Sequence, residues 1–310
     1  MKANAVFDSG GIKGIGILGS LSYMESKGFQ WEKVAGTSVG AIIASLIASG
    51  YTSKDLKKMN TNFIDFLDKE SSQRSTLVVK ALRLFKDKGI YSGDYIENWI
   101  EDLLKSKGIS TFNDLMNNGE CRLKIVTADI TRRRMAVFPD DLSRYGLTAS
   151  TFKISKAVRM SISIPFYFKP VKFIHGDGIS YMVDGGISCP YPISIFDKKN
   201  SISKIPTIGF KFDNPDISNT RLGKTDPMSF LFDISDTMSF EKRNSWMTKK
   251  NLERTILIPT DGINSIDFDI SKQETLKLYK SGYKAAEKFY KNFTSNKTLS
   301  DNAYEIENYH

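Results

Sequence analysis

Cysteine and histidine are scarce in this 310-residue chain, which contains two residues of each type. Cys121 and Cys189 lie far apart and show no metal-ligand spacing, so they predict neither a disulfide scaffold nor a zinc site. A reducing compartment is the simpler expectation. The sequence also lacks a calcium-binding loop. We therefore expect a protein that uses no metal or other cofactor.

Long apolar runs are absent as well. The longest covers residues 41–48 and has one serine inside it, which is far short of the ~20 residues that span a bilayer. Near the amino terminus, Asp8 and several glycines follow too early for the apolar core of a secretory signal. We therefore expect a cytoplasmic protein that is either soluble or peripheral to a membrane surface.

No tract rich in proline or glycine divides the chain, and no internal repeat occurs. We predict a single domain over residues 1–293, with a helical insertion at about 55–115 and a polar tail over 294–310. The net charge is +9, from 44 basic and 35 acidic residues, which suits an anionic membrane surface or simply a lysine-rich solvated surface. Because no basic patch is interleaved with aromatic residues, we expect no nucleic-acid partner.

Short apolar runs alternate with segments of helical periodicity. In the first fifty residues this order is strand, helix, strand, helix, which predicts a parallel sheet with crossover helices. Strands are predicted at residues 3–7, 34–35, 123–128, 135–138, 181–183, 205–212 and 255–258, and helices at residues 12–27, 39–49, 77–86, 95–105, 154–160 and 271–293. The fold class is therefore α/β, with a central, mainly parallel sheet flanked by helices.

The candidate nucleophile is Ser38, in the sequence Gly-Thr-Ser-Val-Gly at residues 36–40. This G-x-S-x-G pattern is weak alone, because turns of small residues are common. Here it lies between a short strand and a strongly apolar helix, which is the setting of a nucleophile elbow. Gly36 and Gly40 remove Cβ clashes from the turn, and the helix N-terminus favours developing negative charge.

A second glycine-rich turn, Ser-Gly-Gly-Ile-Lys-Gly, begins at Ser9 after the first strand. It lacks the Lys-Ser/Thr ending of a P-loop and the spacing of a dinucleotide loop, so nucleotide binding is disfavoured. An ordinary tight turn is the structural alternative. Outward-pointing amides of Gly10, Gly11 and Ile12 would suit an oxyanion hole, which stabilises a tetrahedral intermediate.

A Ser-His-Asp triad would have to use His175, because His310 is the last residue of a polar tail. His175 lies in a polar stretch that predicts an exposed hairpin turn. The base is therefore expected to be a carboxylate. Asp184 is the best candidate because it ends an apolar strand and is followed by two glycines that allow close backbone approach. Without Ser38, the same pattern would predict only a turn.

Three motifs in this order resemble those of the patatin-like phospholipases, which use a Ser-Asp dyad. That family carries a G-G-G-x-K/R-G loop, a G-x-S-x-G elbow and a downstream D-G-G/A motif. The matching segments here are residues 9–14, 36–40 and 184–186. Ser9 stands where the family usually has its first glycine, and Pro190 where many members have asparagine. The resemblance covers about residues 3–212 and implies a patatin-like variant of the α/β hydrolase architecture.

The resemblance implies a mechanism in which Asp184 takes the proton of Ser38 as the hydroxyl attacks an acyl ester. The loop amides would hold the oxyanion, and Lys13 would add positive charge or anchor the loop. Supporting glycines of the three motifs are Gly14, Gly36, Gly40, Gly185 and Gly186. Water would then release a fatty acid from the acyl-enzyme.

The implied substrate is a phospholipid or another acyl lipid, met at a membrane surface. Two other functions stay open: an esterase, thioesterase or acyltransferase for soluble acyl substrates, and a non-catalytic lipid-binding relative. An activator is also expected, because such an enzyme without control would damage the membranes of its own cell.

Three further segments leave alternatives open. Residues 77–86 combine apolar and basic side chains at helical spacing, which predicts an interfacial helix or, more often, a helix packed on the core. The three arginines at 132–134 predict an exposed hairpin tip, with a phosphate head group as the alternative reading. Residues 166–168, Phe-Tyr-Phe, suit an acyl pocket or the core equally.

Overall fold

A computed structural model describes most of the chain. It covers residues 1–59, 83–84, 86–176, 178–197, 205–213, 237, 246–263 and 270–307, with side chains as far as residue 295. The predicted helix at 77–86 lies outside these residues, apart from 83, 84 and 86, and so does part of the predicted insertion.

The elements alternate along the chain as the apolar pattern predicts. The strands are β1 (Lys2–Phe7), β2 (Gln30–Thr37), β3 (Gly89–Tyr91), β4 (Met116–Asn117), β5 (Glu120–Cys121), β6 (Leu123–Asp129), β7 (Arg134–Phe138), β8 (Phe166–Phe168), β9 (Val171–His175), β10 (Gly178–Asp184), β11 (Thr207–Asp213) and β12 (Thr255–Pro259). The helices are α1 (Gly14–Ser26), α2 (Val39–Ala48), α3 (Asp94–Lys105), α4 (Ile154–Ser161), α5 (Lys249–Glu253) and α6 (Lys272–Glu307).

The main sheet has eight strands in the order β12-β11-β1-β2-β6-β10-β9, with β7 also paired to β6. From β12 to β6 all neighbours are parallel, whereas β7, β9 and β10 pair in antiparallel fashion. Residues 3–7 of β1 are all buried, as expected for a central parallel strand covered on both faces. The predicted α/β class with a mainly parallel sheet is thus confirmed.

The two edges of β6 decide where the ends of β2 and β10 lie. β7 pairs with residues 125–129 and occupies one edge of β6. β2 pairs with residues 123–126 and β10 with residues 127–129, so both must lie along the other edge, one after the other. Since β2 and β10 run in opposite directions, their carboxyl ends meet at the junction. Thr37 is level with Val126, and Asp184 with Thr127.

Several features differ from the prediction, among them the short strands β3, β4, β5 and β8 and the helix α5, which were not predicted. The terminal helix was expected to end at residue 293, but α6 continues to Glu307; residues 294–310 contain no glycine or proline that would end a helix. The strand β9 was not predicted, although its residues alternate between buried and exposed. No helix among the described residues has both the length and the apolar character needed to cross a bilayer.

Candidate active site

Ser38 occupies a strained turn between β2 and α2. Its backbone angles are φ 57° and ψ −123°, a left-handed conformation that is uncommon for a residue with a side chain and that concentrates at functional sites. Its amide donates a hydrogen bond to Ser161 Oγ at 2.9 Å, and its carbonyl accepts one from the Ala41 amide at 2.8 Å. Hydrogen bonds at both the amide and the carbonyl of Ser38 therefore stabilise the turn.

The two motif glycines allow this turn to pack against its own backbone and against β1. A Cβ atom on Gly36 would lie 2.1 Å from the Gly40 carbonyl oxygen, and a Cβ on Gly40 would lie 2.5 Å from the Phe7 carbonyl oxygen. Both distances are far too short for any side chain. Glycine is therefore required at both motif positions, because the backbone of the turn packs against itself and against β1. This packing places Ser38 next to the end of β1.

Asp184 is buried at the end of β10. Its Oδ1 accepts a hydrogen bond from the Gly186 amide at 2.7 Å, while its Oδ2 accepts none among the described residues. Burial raises the pKa of this carboxyl to about 6, against the smaller, opposing effects of the Ser38 hydroxyl and the Gly186 amide. The structure therefore places the predicted nucleophile beside the predicted base, with one carboxylate oxygen left for a proton.

The segment after Asp184 contacts the elbow. Thr37 Oγ1 donates a hydrogen bond to the Cys189 carbonyl at 3.0 Å. A Cβ atom on Gly185 would lie 2.3 Å from the Val126 carbonyl oxygen and 2.8 Å from Thr37 Cγ2. The base motif therefore packs directly against the strand that carries Ser38.

The same segment also contacts the glycine-rich loop. The Ser9 amide donates to the Pro190 carbonyl at 3.0 Å, and a Cβ atom on Gly186 would lie 3.4 Å from Ser9 Oγ. Here the two departures from the family pattern, Ser9 and Pro190, are hydrogen-bonded to each other. All three sequence motifs are thus brought together at one edge of the sheet.

The loop presents backbone amides that the fold does not use. Gly11 has φ 54° and begins a short 3-10 turn, Gly11–Lys13, before Gly14 opens α1. In the described part of the chain, the amides of Gly10, Gly11 and Ile12 donate no hydrogen bond to another protein group. Such free amides are what an oxyanion hole requires. Lys13 is 8% exposed and so belongs to the packed base of the loop.

Ser161 and Ser163, at the end of α4, were not predicted as part of the site. Ser161 Oγ accepts from the Ser38 amide and donates to the Val126 carbonyl at 2.6 Å. Two residues on, the Ser163 carbonyl accepts from the Asp184 amide at 2.9 Å. This short segment therefore links the backbone of Ser38 to that of Asp184. The only signal in the sequence is a run of small residues before Pro165, which indicates no role.

A buried ion pair at the start of the glycine-rich loop was also missed. Asp8 Oδ2 lies 3.1 Å from Lys211 Nζ and accepts a hydrogen bond from the Phe212 amide at 3.2 Å. Asp8 immediately precedes Ser9, so the pair joins the loop to β11. The two charged residues are 203 positions apart, and no local pattern connects them.

An apolar cavity of about 50 Å³ adjoins the loop and the elbow. Its described lining residues are Gly11, Ile12, Gly14, Ile15, Leu18, Val39, Ile42, Ile43, Leu46, Leu56, Met59 and Trp99. Residues 166–168 are not among them: Phe168 and Tyr167 pack in the main core. The cavity begins at Val39, the residue after Ser38.

His175 is too far along the sheet to act as the base. It lies at the end of β9, where its Nε2 is 3.1 Å from Ser180 Oγ and its ring packs on Tyr145. Ser180 is four residues from Asp184 in the same strand, which corresponds to roughly 13 Å. His310 lies outside the described residues.

Comparison with known proteins agrees with this arrangement. Residues 5–197 match the family model described as patatin-like phospholipase. The chain belongs to the patatin-like phospholipase family. Membership supports a lipid-hydrolysing activity in general terms.

Relatives and solved structures extend the likeness beyond the matched residues. The Bacillus subtilis protein YqhO is 35% identical over 95% of this chain and its own full length. A protein of Invertebrate iridescent virus 6 with the name "Probable lipid hydrolase 463L" is 25% identical over 63% of this chain and 64% of its own. The fold is similar to that of VipD from Legionella pneumophila, with a TM-score of 0.56, 16% identity, and coverage of 93% of this chain and 66% of VipD. It is also similar to ExoU in the Pseudomonas aeruginosa ExoU–SpcU complex, with a TM-score of 0.53, 17% identity, and coverage of 94% of this chain but 52% of that one.

Proposed function

We propose that this protein is a phospholipase A-type enzyme that cleaves fatty acyl esters of membrane lipids through Ser38 and Asp184. One observation carries the proposal: a serine in a left-handed turn faces a buried carboxyl that has one oxygen without a hydrogen bond. The family and the name of the viral relative support a lipid as substrate. We also propose a cytoplasmic protein that meets its substrate at the membrane surface.

Acylation begins when Asp184 takes the Ser38 proton and Ser38 Oγ attacks the ester carbonyl carbon. The negative charge that develops on the carbonyl oxygen is stabilised by the amides of Gly10, Gly11 and Ile12 together with the N-terminus of α2. The C–O bond to the lysophospholipid then breaks, and protonated Asp184 returns the proton to the leaving alkoxide.

Deacylation repeats these steps with water. Asp184 takes a proton from a water molecule, whose oxygen attacks the acyl carbon, and the same amides stabilise the second oxyanion. When the bond to Ser38 Oγ breaks, Asp184 returns the proton to the serine and a free fatty acid leaves. A pKa of about 6 suits both directions of transfer near neutral pH.

The apolar cavity beside the glycine-rich loop is a candidate binding site for the acyl chain. The apolar cavity between α1 and α2 opens beside Gly11 and Val39, the neighbours of the proposed oxyanion hole and nucleophile. We infer that the first methylene groups of the acyl chain enter here. The polar head group then remains on the open side.

The test measures fatty-acid release from mixed phospholipid vesicles, without added calcium, by wild type, Ser38→Ala and Asp184→Asn. A matched control is Ser45→Ala, since Ser45 is equally buried in α2 but bonds only within the helix. We expect loss of release in the first two variants, with retained circular dichroism, and near-normal release in the control.

A folded wild type that releases no fatty acid, alone or with added cell extract, would contradict the proposal. Release that requires both the extract and Ser38, and is absent with Ser38→Ala, would indicate that an activator is needed. Activity of the wild type on a soluble acyl ester but not on vesicles would favour the soluble-substrate alternative. Activity that survives in Asp184→Asn would assign the base to another group.

A further inference from the structure

An apolar surface lies on two adjacent hairpins, β6–β7 and β9–β10. We name it the hairpin patch, and its members are Ile130, Met135, Ile174, Ile179 and Tyr181. Ile174 is 71% exposed and Ile179 is 44% exposed. These two residues pair across the strands and so share one face of the sheet with Tyr181, two positions further on. The Ile130 amide donates to the Tyr181 carbonyl at 3.1 Å, which joins the two hairpins.

The exposure belongs to one face only. On the other face of the same strands, Phe173 and Met182 are buried in the core, where Phe173 packs on Tyr145 and Phe138. The hairpins are therefore well supported from below. Exposed apolar side chains that cluster on one face above a packed layer are a feature of contact surfaces.

The hairpin patch extends beyond the carboxyl edge of the parallel strands, the edge at which the candidate active site is built. The β6–β7 turn follows the carboxyl end of β6, and β10 runs from the β9–β10 turn back to Asp184. Ile179 is five residues from Asp184, so it stands roughly 17 Å beyond the carboxyl along the strand. The β9–β10 hairpin therefore projects past the edge of the sheet at which Ser38 and Asp184 lie.

Unpaired cations surround these apolar side chains. Lys172 and Arg133 are exposed and have no acidic partner in the described part of the chain, and Lys88 Nζ lies 5.1 Å from the centre of the Tyr181 ring. The acidic neighbour of Lys88, Asp87, is already paired with Lys169 at 2.7 Å. Asp177, which separates β9 from β10 in the sequence, lies outside the described residues.

We propose that the hairpin patch docks the enzyme on an anionic bilayer, with the isoleucines in the acyl boundary and the cations among the head groups. Apolar side chains ringed by basic residues are the combination that binds such interfaces. The proposal extends the proposed function, since a lipase that acts on membranes must present its nucleophile to them. An anionic lipid surface is the expected partner because the exposed charges around the patch are basic and the patch projects past the carboxyl edge where Ser38 lies.

The experiment measures sedimentation with vesicles in the Ser38→Ala background, where no hydrolysis changes the lipid. Vesicles consist of phosphatidylcholine alone or of a mixture in which about a third is phosphatidylglycerol. The test variants are Ile174→Ser/Ile179→Ser and Arg133→Glu/Lys172→Glu. The matched control is Leu252→Ser/Leu257→Ser. These two exposed leucines lie at or near β12, which is at the other end of the strand order from β9.

We expect the control to bind like the parent protein. Loss of the isoleucines should weaken binding to the mixed vesicles by about tenfold or more, given the area they would bury. Charge reversal should weaken it by about 25-fold or more, because each cation near an anionic surface contributes about fivefold. With Ser38 restored, all variants should hydrolyse a soluble ester at the wild-type rate.

Three results would overturn the docking proposal: parent protein that binds neither vesicle, variants that bind as well as the control, or a wild-type dimer that the patch variants convert to monomer. Normal hydrolysis of the soluble ester together with any of these would leave the proposed chemistry intact. Patch-dependent binding without hydrolysis by the protein that retains Ser38 would support the docking proposal and contradict the proposed chemistry. A direct reporter is Ile179→Trp, whose added emission should shift to the blue on mixed vesicles and would stay unshifted if the patch remains in water.

Discussion

Two buried aspartates at the same edge of the sheet show opposite arrangements. Asp8 directly follows β1, and its Oδ2 has the Lys211 ammonium at 3.1 Å and the Phe212 amide at 3.2 Å. Asp184 ends β10, has no cation beside it, and keeps Oδ2 without a hydrogen bond in the described structure. Both are nearly fully buried.

The difference supports the proposal that Asp184 acts as the base, whereas Asp8 has a structural partner. Asp8 is paired with Lys211, and this buried ion pair ties the glycine-rich loop to β11. Asp184 is buried without such compensation, and its pKa rises to about 6. A buried carboxyl oxygen without a hydrogen bond costs free energy. Selection for stability alone would therefore favour partners for both Asp8 and Asp184.

The largest expected effect comes from Asp184→Asn. Because the amide cannot accept the serine proton, kcat for a soluble acyl ester should fall by about 10³-fold or more. The free energy of unfolding at neutral pH should not fall, since the variant removes a buried charge that lacks a partner. Urea titration and single-turnover kinetics on the same preparation check both statements, and a variant that loses activity together with stability would erase the contrast with Asp8.

Asp8→Asn should give the reverse result. It leaves Lys211 charged and buried without its partner, which should cost about 3–5 kcal/mol of unfolding free energy. The double variant Asp8→Asn/Lys211→Met removes both charges and should recover much of that loss. Urea titrations of the wild type and the two variants measure the loss and its recovery, and an Asp8→Asn variant as stable as the wild type would show that the ion pair contributes nothing. Activity per folded molecule should change far less than in Asp184→Asn.

The pH dependence of stability should sharpen the comparison further. Since the pKa of Asp184 is raised from 3.8 to about 6, the native state binds this proton more tightly than the unfolded state between these values. The free energy of unfolding should therefore be undiminished by Asp184 below about pH 4, fall by about 3 kcal/mol as pH rises to about 6, and then level off. Over the same range kcat/KM should rise as the base ionises.

The measurement is the difference in unfolding free energy between wild type and Asp184→Asn from about pH 4 to about pH 7. Taking the difference cancels the titration of the other carboxyls. A difference that stays constant with pH would mean that Asp184 ionises as easily in the folded chain as in the unfolded one.

Local pattern was sufficient to predict the elements that carry the site but not their arrangement. The glycines around Ser38 signal a turn because they are required by backbone contacts within a few residues. The apolar run before Asp184 predicts a strand, yet nothing local gives its direction or its place above β2 on the edge of β6. The meeting of Ser38 and Asp184 depends on that pairing, as does the exposure of Ile174, which only the tertiary structure reveals.

Contacts between distant segments explain the other omissions. Asp8 and Lys211 become partners only when β11 lies beside β1, and each alone resembles an ordinary surface charge. Ser161 has the same difficulty: in sequence it is one serine among several in α4 and the turn after it. Its role follows from two hydrogen bonds, one to Ser38 in the turn after β2 and one to Val126 in β6.

Ser161→Ala should have the smallest effect of the four, and it tests whether the frame around the two catalytic candidates matters as well as the carboxyl. The change leaves the buried Ser38 amide and Val126 carbonyl without their shared partner, which should cost about 1–3 kcal/mol of unfolding free energy. Because the strained turn loses the hydrogen bond that holds the Ser38 amide, kcat should fall by about tenfold while KM stays unchanged. Ser161→Thr keeps the hydroxyl and should restore kcat, whereas Ser155→Ala, equally buried in the same helix, should leave it unaltered. If Ser161→Ala lowers stability but not kcat, the hydrogen bond holds the fold together without positioning the nucleophile.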